Sequence, residues 1–147
     1  MTKTVKVLIA VLALSGLFAA TALAADLDIA PKKADVGDLV FAHAKHVKKG
    51  KYSLFLVYDK RPTTNGACVR RIGERHKSED GSVSFSGRIP KHIVCWENNS
   101  TKLGTIRTPA GKYHLVVAVQ SGPAGYDARF SFVRHKFRVV KSADREG

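Results

Sequence analysis

Apolar and polar positions alternate with a period of two along most of this chain, the mark of half-buried β-strands. Residues 38–44, DLVFAHA, put Leu39, Phe41 and His43 on one face. Residues 51–59, KYSLFLVYD, are apolar on both faces, with Tyr52, Leu54, Leu56 and Tyr58 against Phe55 and Val57. That pattern predicts a central strand covered on both sides. ACVRRI (67–72) is a shorter candidate, and GSVSFSG (81–87) alternates with Val83 and Phe85 in and Ser82, Ser84 and Ser86 out. KYHLVVAVQ (112–120) aligns Tyr113, Leu115, Val117 and Val119. RFSFVRHKFRVV (129–140) starts with Phe130 and Phe132 in phase and ends with Phe137 and Val139 in the opposite phase. A parity switch of that kind predicts a β-bulge near Arg134 to Lys136.

Turn signals separate these runs: KKG, RPTTNG, SEDG, TPAG and SGPAG. Asn65-Gly66 and Asp80-Gly81 supply residues that tolerate positive φ. In HAKHVKKGKY (43–52), one strand ends at His43 and Ala44, a turn closes at Gly50, and Tyr52 opens the next strand. No window carries a helical stripe. About seven short strands with regular turns predict a single all-β sandwich domain.

One stretch breaks the pattern. KHIVCWENNSTKLGTIR (91–107) reads as a long irregular loop containing Cys95, with Trp96 packing beside it. Asn98 to Thr101 holds two overlapping N-x-S/T acceptors, read here as a polar loop tip.

The amino terminus changes the picture. Lys3 and Lys6 precede the apolar run VLIAVLALSGLFAA, and Ala22-Leu23-Ala24 offers an A-x-A cleavage site. This predicts a secretory signal peptide over 1–24, a domain over 25–141 and a polar tail over 142–147. No later run approaches membrane length, so no transmembrane segment is expected in the mature chain. An exported chain with two cysteines predicts a Cys68–Cys95 disulfide. It would tie the 91–107 loop to the third core strand. Export to a periplasmic or extracellular compartment follows.

Charge is the strongest bulk signal. The chain has 25 Lys+Arg against 12 Asp+Glu; setting aside Lys3 and Lys6 lowers the net charge by two, from +13 to +11. A field of that sign attracts polyanions.

Three stretches resemble the bacterial immunoglobulin-like (Ig-like) modules of exported and cell-surface proteins. PKKADVGDLVFAHAKHVKKGKYSLFLV (31–57) follows their order of Pro, Gly-Asp, alternating strand, Gly turn and second strand. EDGSVSFSGRIP (79–90) is similar to their Asp-Gly hairpin, and TPAGKYHLVVAV (108–119) to their entry into the penultimate strand; FRVV matches their closing strand. The resemblance implies an Ig-like Greek-key sandwich, and a spacer, adhesion or ligand-binding role rather than an enzyme. In sandwiches of this type a tyrosine at the position of Tyr113, after Gly111, bonds back to nearby backbone. Leu115 stands where antibody-type domains have their second inter-sheet cysteine, so the expected bridge is a different one.

Signatures of catalysis are missing. No G-x-S-x-G, H-E-x-x-H, P-loop or S-x-x-K motif is present. Asp35, Asp38, Asp59, Asp80 and Asp127 lie mostly in turns, with no sign of a paired carboxylate cleft. No catalytic residues and no cofactor are therefore assigned. Six histidines make copper or zinc conceivable, with His43 and His46 as candidate ligands; against this, the only methionine is Met1. Anion binding has most support. The candidates are Lys45, Lys48, Lys49 and Lys51; Arg70 and Arg71, with Arg75 and Lys77; and Arg134, Lys136 and Arg138, with Arg129. Arg134, Lys136 and Arg138 would share one solvent face. Inward aromatics leave no evident stacking platform, so no specific nucleic acid is expected. The expected partner is an anionic envelope polymer or glycan. The alternatives are a periplasmic metal-binding protein, or a secreted inhibitor or effector with a protein partner.

Overall fold

The computed structural model describes residues 26–78, 81–120, 122 and 133–141. The signal-peptide prediction, Phe130, Phe132, Arg129 and the tail fall outside them. Ten strands and no helix are found among the described residues: β1 (Asp26–Ala30), β2 (Lys33–Ala34), β3 (Leu39–Lys45), β4 (Gly50–Tyr58), β5 (Ala67–Ser78), β6 (Ser82–Arg88), β7 (His92–Trp96), β8 (Lys102–Arg107), β9 (Gly111–Ala118) and β10 (Val133–Val139).

They form two sheets. The small sheet has the order β1-β3-β6 and the large one β2-β10-β9-β4-β5-β7-β8. All pairs are antiparallel except β2 with β10, which is parallel. The segment 26–34 is shared: β1 pairs with β3 in one sheet and β2 with β10 in the other.

Alternation explains the core. β3 and β6 turn Val40, Ala42, Ala44, Val83 and Phe85 inward. β4 and β9 answer with Tyr52, Leu54, Leu56, Tyr113, Leu115 and Val117, and β10 with Phe137 and Val139. Burying each large apolar side chain contributes roughly 1.5–3 kcal/mol. β4 is the covered central strand that its sequence predicts. Its other face puts Phe55 into a second cluster with Val69, Val116 and Ala118, against which Val57 and Trp96 pack.

Several expectations are corrected. Strands number ten rather than about seven, because DLDIA, KA and the 91–107 region all pair. Residues 91–107 are not a loop: β7 and β8 form a hairpin that extends the large sheet. Leu39, Phe41 and His43 do share a face, but it is the outer one, where Leu39 and Phe41 are exposed. The small alanines at 42 and 44, with Val40, take the core side instead. No bulge interrupts β10 at Arg134 to Lys136; its register with β9 runs unbroken from Val133 to Val139. The shifts lie instead between Tyr52 and Phe55 and between Cys95 and Trp96. The turn after β3 takes its left-handed residue at His46, with φ 59°, rather than closing on Gly50, which opens β4.

Two predicted anchors are found. Cys68 and Cys95 face each other across β5 and β7 and are bridged, with Cα atoms 3.9 Å apart. The bond lies within the large sheet rather than between sheets. Tyr113 donates its hydroxyl hydrogen to the Pro109 carbonyl at 2.6 Å and stacks on Tyr58 at 4.7 Å. Gly111, at φ 150°, lies against Tyr58 where a Cβ would contact the ring. No helix among the described residues is long and apolar enough to cross a membrane.

Candidate anion-binding surface

The outer face of β10 carries Arg134, Lys136 and Arg138, all exposed. Strand alternation makes them neighbours, spaced by two residues or about 7 Å along the strand. Their inward partners Val133, Phe137 and Val139 hold the strand on the core. β9 and β2 then add to this face. Arg138 lies opposite Lys112 on β9 and opposite Lys33 on β2. Lys33, Arg138 and Lys112 are thus three cations in one row across three strands, with neighbouring Cβ atoms about 5 Å apart.

Beside the row is a cavity of about 500 Å³, lined in part by Lys32, Lys112, Lys136 and Arg138. Asp59 is the carboxylate among its described lining residues, and it bonds His114 Nδ1 at 2.5 Å. His114 is the residue opposite Lys136. None of Lys33, Lys112, Lys136 and Arg138 has an ion pair among the described residues. The row therefore holds positive charge with no carboxylate partner among them. Like charges placed directly opposite destabilise a sheet, so the arrangement has a cost that an external anion would offset.

The remaining predicted cations fall elsewhere. Lys45 is on the outer face of the small sheet, 3.7 Å from Asp28. Lys48 and Lys49 are exposed in the crossover to the large sheet, and Lys51 is exposed at the start of β4. The Lys48 carbonyl accepts the Tyr52 hydroxyl at 2.8 Å. The 45–51 candidates are thus split between sheets. Arg70 and Arg71 line a cleft beyond β4, the strand that separates them from Lys112 on β9. The side chains of Arg75 and Lys77 are outside the described set.

The metal candidates are not brought together with further ligands. His43 Nδ1 bonds Ser84 Oγ at 2.6 Å on the small sheet, and His46 occupies the turn. Among the described residues no group of three His, Cys, Asp or Glu could hold a metal ion.

Sequence reasoning missed Lys32, Lys33 and Lys112. Each stands in a turn-like motif, PKK or AGKY, that signals backbone shape rather than charge. Only the pairing of three segments distant in sequence joins Lys33 and Lys112 to Arg138.

The tyrosine at the base of this region is chemically quiet. Burial, with a lesser contribution from Tyr58, pushes the Tyr113 hydroxyl well above the usual tyrosine range. It stays a neutral donor at physiological pH.

No family model matches the chain, and no curated protein matches it in sequence. Among solved structures the chain is similar to macromomycin, at 12% identity and a TM-score of 0.59, over 80% of this chain and 100% of that one. At that identity the likeness concerns the fold alone, a two-sheet all-β sandwich.

Proposed function

We propose that this chain is an exported, non-catalytic Ig-like module that binds an anionic polymer at the cell envelope. The binding surface is the β9-β10-β2 face. One observation carries the reading: Lys33, Arg138 and Lys112 stand in a single cross-strand row with no acidic partner among the described residues. Lys136 and Arg134 continue it along β10, so the cations form a lattice with spacings of about 5 and 7 Å. A linear polymer carrying repeated sulfate, phosphate or carboxylate groups meets such a lattice at several points at once.

The Ig-like assignment draws support from the split amino-terminal segment, the Tyr113 to Pro109 bond and the β1-β3-β6 layer. Export draws support from the disulfide, which persists in oxidising compartments.

Immobilised heparin serves as the probe polymer. The chain is expected to stay bound above physiological salt. Lys112→Ser with Arg138→Ser should lower the eluting salt concentration far more than Lys48→Ser with Lys49→Ser. Elution of the unaltered chain at or below about 0.15 M salt, where screening acts within about 8 Å, would overturn the proposal. Equal effects of the two double variants would move the binding surface off this face.

A further inference from the structure

A second cleft of about 360 Å³ lies on the outer face of the large sheet, on the far side of β4. Its floor is apolar. Phe55 on β4 lies opposite Arg71 on β5, and Val69 on β5 opposite Val94 on β7. Trp96, two residues beyond Val94, has the same parity and completes the floor. Phe55 and Val69 are buried, whereas Val94 and Trp96 are half-buried and open to the cleft.

The rim is of opposite character. Arg70 and Arg71 line it with Gln120. Arg71 shares the face of Phe55 and Val69, whereas Arg70, opposite Leu56, belongs by alternation to the other face and lines the cleft only at its edge. Arg71 Nη1 donates to Gln120 Oε1 at 3.4 Å, and Arg70 Nη1 donates to the His92 carbonyl at 3.4 Å. Both bonds are long for N–H···O, which centres near 2.9–3.0 Å. Both acceptors are neutral. A guanidinium carries five N–H donors, so among the described residues most of the Arg71 fork has no acceptor. No carboxylate is among the described lining residues.

We propose that this cleft binds a small aromatic carboxylate. The ring lies on Trp96 and Val94, and the carboxylate takes paired hydrogen bonds from Arg71. Each half of the ligand answers a different half of the site. A bare inorganic anion leaves the apolar floor uncovered, and a neutral aromatic provides no charged acceptor for the fork. The volume falls within the usual range of small-molecule sites, about 300–1,000 Å³. The cleft is separate from the β10 row, so neither proposal depends on the other.

Trp96 is the single tryptophan of the chain and therefore reports on its own site. The probe is 4-nitrobenzoate, titrated into the full chain while tryptophan emission is read. Saturable quenching is expected. Arg71→Gln should weaken it at least tenfold, and Arg71→Lys should restore it only in part, since an ammonium lacks the planar fork. The neutral 4-nitrobenzyl alcohol should bind at least tenfold less tightly. Lys112→Ser with Arg138→Ser should leave the titration unchanged. Non-saturating quenching, equal quenching by the alcohol, or unchanged affinity in an Arg71→Gln variant of unaltered urea midpoint would each overturn the proposal.

Discussion

The Tyr113 hydroxyl reaches back four residues to the Pro109 carbonyl at 2.6 Å, tying the β8-β9 connection to the strand that follows it. The ring is 1% exposed and packs on Tyr58, so the bond is made inside the fold. Tyr113→Phe keeps the ring and removes the donor. The expected loss is about 0.5–1.5 kcal/mol, the usual net value of one hydrogen bond. Urea denaturation with an unchanged slope checks it.

The same residue sets an alkaline limit. Its folded pKa is raised by burial, so the folded state favours the neutral hydroxyl. Below about pH 10, the ordinary tyrosine value, folded and unfolded chains both hold the proton and no stability is lost. Above it the unfolded chain ionises first, and stability falls as pH rises. Tyr113→Phe should show a shallower decline above about pH 10, measured by urea midpoints at each pH.

Reduction of the Cys68–Cys95 bridge should be costly. The two residues are 27 apart in sequence, and releasing a loop of that length costs roughly 3–4 kcal/mol in the chain-entropy model. Cys68→Ala with Cys95→Ala should lower stability by a similar amount. Equal midpoints with and without reductant would contradict it.

Gly87 on β6 marks a close approach of the two layers. A Cβ there would run into the carbonyl oxygen of Ile72 on β5, a backbone atom with no room to turn aside. Gly87→Ala should therefore destabilise by about 1–3 kcal/mol, as overpacked cores do. Gly104 is the comparison without a clash: a Cβ there would meet nothing within 4 Å, so its alanine variant bears only the backbone strain of a φ of 153°. Urea midpoints of the two alanine variants check the difference.

The cation row predicts opposite effects on stability and on binding. Arg138→Ser removes two like-charge cross-strand contacts at once, with Lys33 and with Lys112. It should raise the thermal midpoint slightly at low salt, by the equivalent of roughly 0.2–1 kcal/mol, while weakening heparin retention. Added salt should erase the gain in stability. A lowered midpoint at low salt would show that the row is neutralised within the fold.

Much of the core was legible along the chain. β6 and β9 follow from alternation, and β4 from a run that is apolar on both faces and buries one set in each of two clusters. The β7-β8 hairpin was not, because its strands are short, β8 is almost wholly exposed, and its turn residues Asn98 to Ser100 resemble a loop tip. Asn98 Oδ1 accepts the Ser100 and Thr101 amides at 2.9 Å each, which closes that turn. β1 and β2 escaped notice because DLDIA and KA are too short to carry a period.

For the candidate surfaces the division is sharper. The amino-acid sequence by itself determined the all-β class, the disulfide pair and the shared face of Arg134, Lys136 and Arg138, because each depends on local alternation, turn chemistry or cysteine count; the tyrosine anchor was implied by the resemblance to Ig-like modules. Tertiary structure decided which cations meet. Lys33, Lys112 and Arg138 are joined by strand pairing between distant segments, and Phe55, Arg71 and Trp96 by pairing across β4, β5 and β7. Strand order is set by the packing of whole layers, and no period within a single segment encodes it.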